Sequence, residues 1–257
     1  MLPRYNRKNN YYHIPILVSI LCLSLWLPVT AAQTEIKEVL WVTDNWKGFT
    51  EKEGSGLYHE IIDAVFHSVN VKVKKQYVPF KRSLFLLENQ KADFTGGIHA
   101  SDSLILTDTI LLKTHISIMY FKGKLNWQTK KDLKAYIGTW PQFYEKEFLT
   151  KARRKYINGF ASTTRNIALT MLQNKKADYY LDATGLLLQQ FKTLDNKQQK
   201  LYKIDKLEEV NLRMAFANSS RGKRIKVLYE LGIQNLHKSG KLLDIYKKYQ
   251  HVYPVDK

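Results

Sequence analysis

Val78–Gly97, VPFKRSLFLLENQKADFTGG, reads as a helix that delivers a short strand and stops at a glycine pair. Pro79 starts such a helix well, because its missing N–H would be an orphan donor in any first turn. Phe80, Leu84 and Leu87 fall on one face at helical spacing, and Asn89-Gln90-Lys91 breaks the pattern before a strand over Ala92–Thr95. A polar loop of Gly96, Gly97, His99, Ser101 and Asp102 follows. The phrase returns at Arg165–Asp182, RNIALTMLQNKKADYYLD, where Leu169, Met171 and Leu172 give the helix and Ala177–Leu181 the strand. Both copies have an arginine near the helix start, Leu-x-Asn before the break and Lys-Ala-Asp before the strand. Two copies imply two similar lobes. In an open α/β sheet the crevice lies beyond the carboxyl ends of the strands, so Gly97 and Asp182 are expected to face it.

Working outward, Val39–Thr43 alternates as a strand that ends at Asp44-Asn45-Trp46-Lys47-Gly48, and Leu57 to Val69 repeats at helical spacing. Val71–Tyr77 is a further strand. The order strand, helix, strand, helix, strand predicts an α/β protein with a mostly parallel sheet covered on both faces. His115–Phe121 and Asn211–Ala217 are expected to cross between the lobes as a hinge. Between them the spacing predicts a strand over Ala135–Ile137, a turn over Gly138–Pro141, a helix over Gln142–Lys155 and then the repeat. Helices over Gly222–Leu236 and Lys241–Tyr249 close the first lobe. The expected division is residues 1–32 as an export signal, 33–116 with 217–257 as lobe one, and 117–216 as lobe two.

Residues 1–32 carry Arg4, Arg7 and Lys8 ahead of the apolar run Ile14–Leu27, with small residues at Val29-x-Ala31 or Thr30-x-Ala32 for cleavage. The run falls short of the roughly twenty apolar residues of a membrane span, and an uncleaved anchor is the alternative. The chain's one cysteine, Cys22, lies in this run after Leu21 rather than after Gly or Ala. A mature chain therefore has no thiol and must rest on its own core, which 225 residues can build. The whole chain carries +18, and removal of three basic residues with the signal leaves +15. Such a field favours anionic ligands or surfaces. The lysines are nevertheless spread along the chain, and no nucleic-acid-binding motif accompanies them, so solvated faces account for most.

The phrases Gly56–Ile62, Val78–Arg82, Lys91-Ala92-Asp93, Ile137-Gly138-Thr139, Lys176-Ala177-Asp178 and Gly240–Tyr249, in this order and spacing, resemble the periplasmic solute-binding proteins of the polar-amino-acid type, bacterial extracellular solute-binding family three. The resemblance runs over nearly all of residues 36–250. It implies a two-lobed periplasmic-binding-protein-like (type II) fold, a small polar ligand held by lobe closure, delivery to an inner-membrane ABC permease or a receptor, a monomer, and no cofactor. It also implies a clamping arginine for an α-carboxylate just after the first Asp-containing strand. Here that region, His99–Leu106, has none, which makes a conventionally bound α-amino acid doubtful, since burying an unbalanced carboxylate costs several kcal/mol. Arg82, Arg165 and His99 are the candidate substitutes. Asp182 stands near the family's ammonium-binding aspartate, one residue early, or else caps the helix expected over Gly185–Phe191.

Aromatic residues near strand ends, Trp46, Tyr58, Tyr120 and Trp140, are candidate cleft walls beside Asp44, with core packing as the alternative for each. The resemblance gives the turn at Thr139 a role in holding ligand oxygens. Thr163 or Ser162 would cap the repeat helix, whose exposed start also suits an anion. No nucleophile elbow, zinc-protease histidine pair, phosphate loop or paired cysteine is present, which leaves no catalytic or metal-ligating set. Two alternatives share the fold. One is a stand-alone sensor or partner-binding module; the other is an enzyme resembling dehydratases of small carboxylic acids.

Overall fold

Among the described residues nine strands make one curled mixed sheet whose two ends are built alike. The computed structural model describes residue 1 and residues 35–254. The export signal read at residues 1–32, with Cys22, falls outside the described residues but for its first position. Among the described residues no helix is long and apolar enough to cross a membrane.

Strands β1 (Glu38–Thr43), β2 (Lys72–Tyr77) and β3 (Phe94–Ile98) pair in parallel at one end; β6 (Gly138–Pro141), β7 (Gly159–Ser162) and β8 (Tyr179–Ala183) do so at the other. Between them β5 (Leu112–Phe121) and the fifteen-residue β9 (Tyr202–Phe216) run antiparallel, giving the order β2-β1-β3-β9-β5-β8-β6-β7. The short β4 (Ile105–Leu106) also pairs with β9. Residues 213–216 of β9 serve β3 and residues 202–212 serve β5, so this single strand passes from one lobe to the other. The return crossing is thus the end of a much longer strand than the sequence suggested. The expected limit at 116/117 falls inside β5, and that at 216/217 falls at the end of β9.

Alternation along the strands sends neighbours to opposite faces. Trp41 packs with Phe66, Phe94 and Phe216 beneath α1 (Leu57–His67), while Val42 turns to the other face. Phe80, Leu84 and Leu87 of α2 (Phe80–Glu88) cover that second face. In the second lobe Tyr179 and Leu181 join Trp140, whereas Tyr180 faces Leu169 and Leu172 of α4 (Arg165–Gln173). A four-residue helix α3 (Tyr144–Glu147) precedes it, and α5 (Thr184–Lys192) and α6 (Asn196–Leu201) follow it. The closing helices α7 (Ser220–Lys238) and α8 (Lys241–Lys248) pack on the first lobe through Tyr229, Ile233, Leu242 and Tyr246. Each fully buried side chain of this size contributes about 1.5–3 kcal/mol.

The doubled phrase folds twice in the same way. Asp93 accepts Leu40 N–H through Oδ2 at 2.7 Å, and Asp178 accepts Ile137 N–H through Oδ2 at 2.7 Å, each fastening its strand to the parallel neighbour. These bonds occupy the residues expected to open the strands, so β3 and β8 each begin two residues later, at Phe94 and Tyr179. Gly96 and Gly97 lie within β3 rather than beyond it, with a register irregularity between Thr95 and Ile98 that Gly97 accommodates at φ +80°. Two further expectations give way. Gly138–Pro141 is itself the strand, not a turn, because Gly138 lies under the Tyr179 ring as β6 pairs with β8. Gln142–Lys155 is not one helix: only Tyr144–Glu147 is α-helical, and a separate 3-10 turn follows at Arg153–Lys155.

Candidate functional site

The loop after β1 forms the first lobe's side of a cleft. Asp44 Oδ2 accepts Phe80 N–H at 3.1 Å, capping a helix whose own N-cap, Pro79, has no side-chain acceptor to offer. Thr50 Oγ1 accepts from Trp46 N and donates to the Asp44 carbonyl, at 3.1 and 2.7 Å, which folds the loop back on itself. Behind it Tyr77 donates to the Glu51 carbonyl at 2.7 Å and lies 2.6 Å from His59 Nε2, so the loop is pinned from inside the lobe. Trp46 then packs against Phe80 at 5.1 Å between centroids and meets Tyr58 edge-on at 6.4 Å. A Cβ on Gly97 would come within 3.1 Å of the Trp46 ring, so only glycine lets the indole settle there without displacement.

The second lobe's side is organised by Asp182, which is fully buried. Its Oδ2 accepts from Arg165 Nε at 2.9 Å and Tyr180 OH at 2.7 Å, and its Oδ1 from Tyr144 OH and Ala183 N–H, both at 2.8 Å. Burial, reinforced by the adjacent carboxylate, pushes both tyrosine hydroxyls far above their ordinary range, so both stay protonated and donate to Asp182, while the Tyr144 hydroxyl also accepts from Ala183 N–H at 3.1 Å. Burial alone would lower the Arg165 guanidinium, but Asp182 overrides it and keeps the cation firmly charged. Arg165 also sits 5.3 Å from the Phe143 ring centroid. Its Nη1 and Nη2 have no hydrogen-bond partner among the described residues, and the side chain borders the cleft.

The lobes touch along the cleft's rim. Phe80 of α2 and Phe143 meet edge to face at 5.3 Å, and Lys81 Nζ donates to Gln142 Oε1 at 3.0 Å. Arg153, in a 3-10 turn, donates Nη2 to His99 Nε2 at 3.0 Å and pairs with Glu208 of β9. An arginine only donates, so Nε2 accepts and the neutral imidazole carries its proton on Nδ1. Burial would raise the Glu208 carboxyl, but hydrogen bonds from Arg153, Lys130 and Tyr156 hold it down at about 2. Burial and the Arg153 charge depress the His99 imidazole, with the Asn211 carbonyl pulling weakly the other way.

Enclosed between these walls is a cleft of about 640 Å³, within the range of small-molecule sites, roughly 300–1,000 Å³. Of the residues singled out in the sequence, Asp44, Trp46, Tyr58, Gly97, His99 and Arg165 border it together. Asp182 stands immediately behind them, spent on four internal donors, and it neither opens to the cleft nor caps α5, whose N-cap is Ala183. Arg82 lies outside on the exposed face of α2, its guanidinium over Phe85 at 4.7 Å. With Asn89 and Asn174 in register, the counterpart of Arg165 is Phe80, each the first residue of a nine-residue helix. Arg82 is therefore two positions past the cleft.

Tyr120 is in the second lobe's core, its hydroxyl on Asp205 at 2.5 Å. Thr139 and Trp140 are buried as strand residues, held by Ser162 Oγ at 2.8 Å and Glu145 Oε1 at 2.6 Å. Thr163 is exposed, and the cap of α4 is Thr164, which accepts Ile167 N–H at 3.2 Å. Sequence reasoning passed over Phe143, Tyr144 and Phe148, which border the cleft opposite Trp46. Their aromatic spacing directly after a strand end was the available signal, hidden by reading that segment as one regular helix. Among the described residues no three His, Asp or Glu side chains gather as a metal would require.

Solved structures with the same course of chain include the ligand-binding core of GluR0 from Nostoc punctiforme in complex with L-glutamate. That match has a TM-score of 0.62 and 17% identity, covering 82% of this chain and 98% of that one. The chain has the two-lobed fold of the periplasmic binding proteins. A substrate-binding protein of an ABC uptake transporter from Streptococcus pneumoniae, with bound histidine, aligns with a TM-score of 0.64 and 17% identity over 86% of this chain and 95% of the other. A histidine kinase sensor domain with similarity to periplasmic binding proteins gives 0.65 and 14% identity over 83% and 96%. No protein-family model and no curated protein matches the chain, so the likeness is one of periplasmic-binding-protein-like fold.

Proposed function

We propose that this chain is an exported solute-binding protein that holds a small organic solute between its lobes and hands it to a membrane partner. The observation that carries the reading is the cleft bordered jointly by Trp46 and Gly97 of one lobe and Arg165 and Phe148 of the other. The lobes would move about the paired stretch where β5 and β9 cross, near Leu111 N–H and the Leu212 carbonyl. Transport through an inner-membrane ABC permease is the primary role. A sensor domain among the similar folds supports a receptor partner as the second reading.

A thermal-shift screen of the purified full chain against amino acids, amines, oligopeptides and organic acids tests solute binding. A ligand at a hundred times its Kd adds about 2.7 kcal/mol of stability. Absence of any shift across the library overturns the reading. Crosslinking in membranes, followed by identification of the captured protein, separates permease from receptor.

A further inference from the structure

The charge layout of the second lobe points to one ligand class. Every hydrogen bond that the buried Asp182 carboxylate makes is internal: Arg165 and Tyr180 occupy one oxygen, and Tyr144 and Ala183 N–H the other. No carboxylate is left at this wall for a ligand ammonium. What the wall does present is Arg165, with Nε fixed by Asp182 and the guanidinium placed beside Phe143. The ion pair sets the plane of the fork, the side chain borders the cleft, and among the described residues the two Nη groups have no hydrogen-bond partner. A planar pair of donors held this way matches a carboxylate's two oxygens, and the orienting cost is met by the protein's own ion pair.

The remainder of the cleft is ring-rich. Trp46 and Phe80 stand on one side and Phe148 on the other. The first-lobe wall carries three acidic groups, Asp44, Glu51 and Glu53, and each has donors of its own: Asp44 accepts from Asn45 N–H at 2.7 Å and Phe80 N–H at 3.1 Å, Glu51 from Gly48 N–H at 2.9 Å and Ser55 Oγ at 3.0 Å, and Glu53 from Ser55 Oγ at 3.4 Å. An α-ammonium lies two bonds from its own carboxylate, so it would be carried up to the Arg165 cation, whose paired carboxylate, Asp182, already accepts four internal donors.

We propose that the cleft binds an aromatic monocarboxylate, its carboxylate on the Arg165 Nη pair and its ring among Trp46, Phe80 and Phe148, and that it discriminates against the matching α-amino acid. This deepens the solute-binding reading and rests on it.

Four probes of one shape isolate the charge: 3-phenylpropionate, 3-phenylpropan-1-ol, 3-phenylpropylamine and phenylalanine, titrated calorimetrically into the full chain. The carboxylate is expected to bind at least tenfold more tightly than each of the other three, with an advantage that shrinks as salt rises. In Arg165→Gln/Asp182→Asn, which removes both charges of the buried pair together, the advantage disappears while the alcohol binds as before. Should that variant not fold, Arg165→Lys keeps a cation for Asp182 without the planar fork, and must still weaken the carboxylate and spare the alcohol. Phenylalanine or the amine binding as well as the carboxylate overturns the inference. So does an advantage that survives in the variants. A library hit lacking a carboxylate, with none of the four probes bound, sinks this proposal and leaves solute binding standing; no hit of any kind sinks both.

Discussion

Arg153 of the second lobe donates Nη2 to Nε2 of His99 in the first at 3.0 Å, a bond between lobes that exists only while the imidazole is neutral. Burial and the guanidinium charge depress the folded His99 pKa, with Arg213 adding to the depression and Glu208 opposing it. An unfolded histidine titrates near 6.5. Between the depressed folded value and about 6.5 the unfolded chain binds more protons, so stability is complete above about 6.5 and falls as pH drops through the folded value. His99→Gln, which retains an acceptor for Arg153, is expected to flatten this slope by up to about 1.4 kcal/mol per pH unit. Urea midpoints measured from pH 7.5 to 4.5 check it. His59 and His251 are depressed in the same direction, so some slope remains in the variant. An unchanged slope would show that the bond does not form in solution.

Gly97 ties the first lobe's backbone to its cleft wall. At φ +80°, with the Trp46 ring where a Cβ would go, Gly97→Ala meets both backbone strain and a close contact. The expected loss is about 1–2 kcal/mol from the left-handed backbone alone. Near-ultraviolet circular dichroism should register the displaced indole. A variant as stable as the parent with an unaltered spectrum would mean that Trp46 rests elsewhere.

Asp182 is expected to be the costliest single side chain of the second lobe's wall. Asp182→Ala strands the Arg165 charge and two tyrosine hydroxyls, and losing one member of such a pair costs about 3–5 kcal/mol. Tyr144→Phe and Tyr180→Phe each remove one donor to a carboxylate, at about 1.5–3 kcal/mol. Chemical denaturation of the three variants should preserve that ranking; tyrosine variants as damaging as Asp182→Ala would contradict it.

Helix ends offer a test that leaves the cleft alone. Gln90 and Lys175 hold φ of +55° and +57° just past Asn89 and Asn174, the C-caps of α2 and α4. Lys91 N–H reaches back to the Leu86 carbonyl and Lys176 N–H to that of Met171, at 2.8 and 2.9 Å, closing the same left-handed cap twice. Gln90→Gly and Lys175→Gly are each expected to stabilise by about 0.5–1 kcal/mol, because glycine takes this conformation without steric cost. A lowered melting temperature in both would mean that the extra freedom of the unfolded glycine outweighs that relief.

The doubling was the part of this fold most open to reading, because it rests on patterns that local chemistry enforces. Lys-Ala-Asp marks a strand start in both halves since each aspartate has a backbone N–H of the parallel neighbour to accept, Leu40 in one and Ile137 in the other. Asp44, Trp46 and His99 were found for a related reason: they follow strand ends, where a parallel sheet opens, and Gly97 is the last residue but one of its strand. Thr139 and Trp140 were misplaced because Gly-Thr-Trp-Pro has turn-like composition, while its strand identity comes from pairing of Gly138 and Thr139 with residues forty-one positions away, Tyr179 and Tyr180. The fate of Asp182 was equally hidden. Its partners Tyr144, Arg165 and Tyr180 lie 38, 17 and 2 residues off, and nothing in their spacing announces that they converge. Long-range closure of a polar cluster is a property of the assembled core, invisible to periodicity.

The fifteen-residue β9 contributes one edge to each half of the molecule. Inserting or deleting a single residue near Leu212 would turn Met214, Ala215 and Phe216 each to the opposite face of the sheet, exchanging what the first lobe's two buried layers receive while the second lobe's pairing stays in place. The two halves are in this sense riveted along a common spar: surface loops can lengthen freely, but this span has to keep its length.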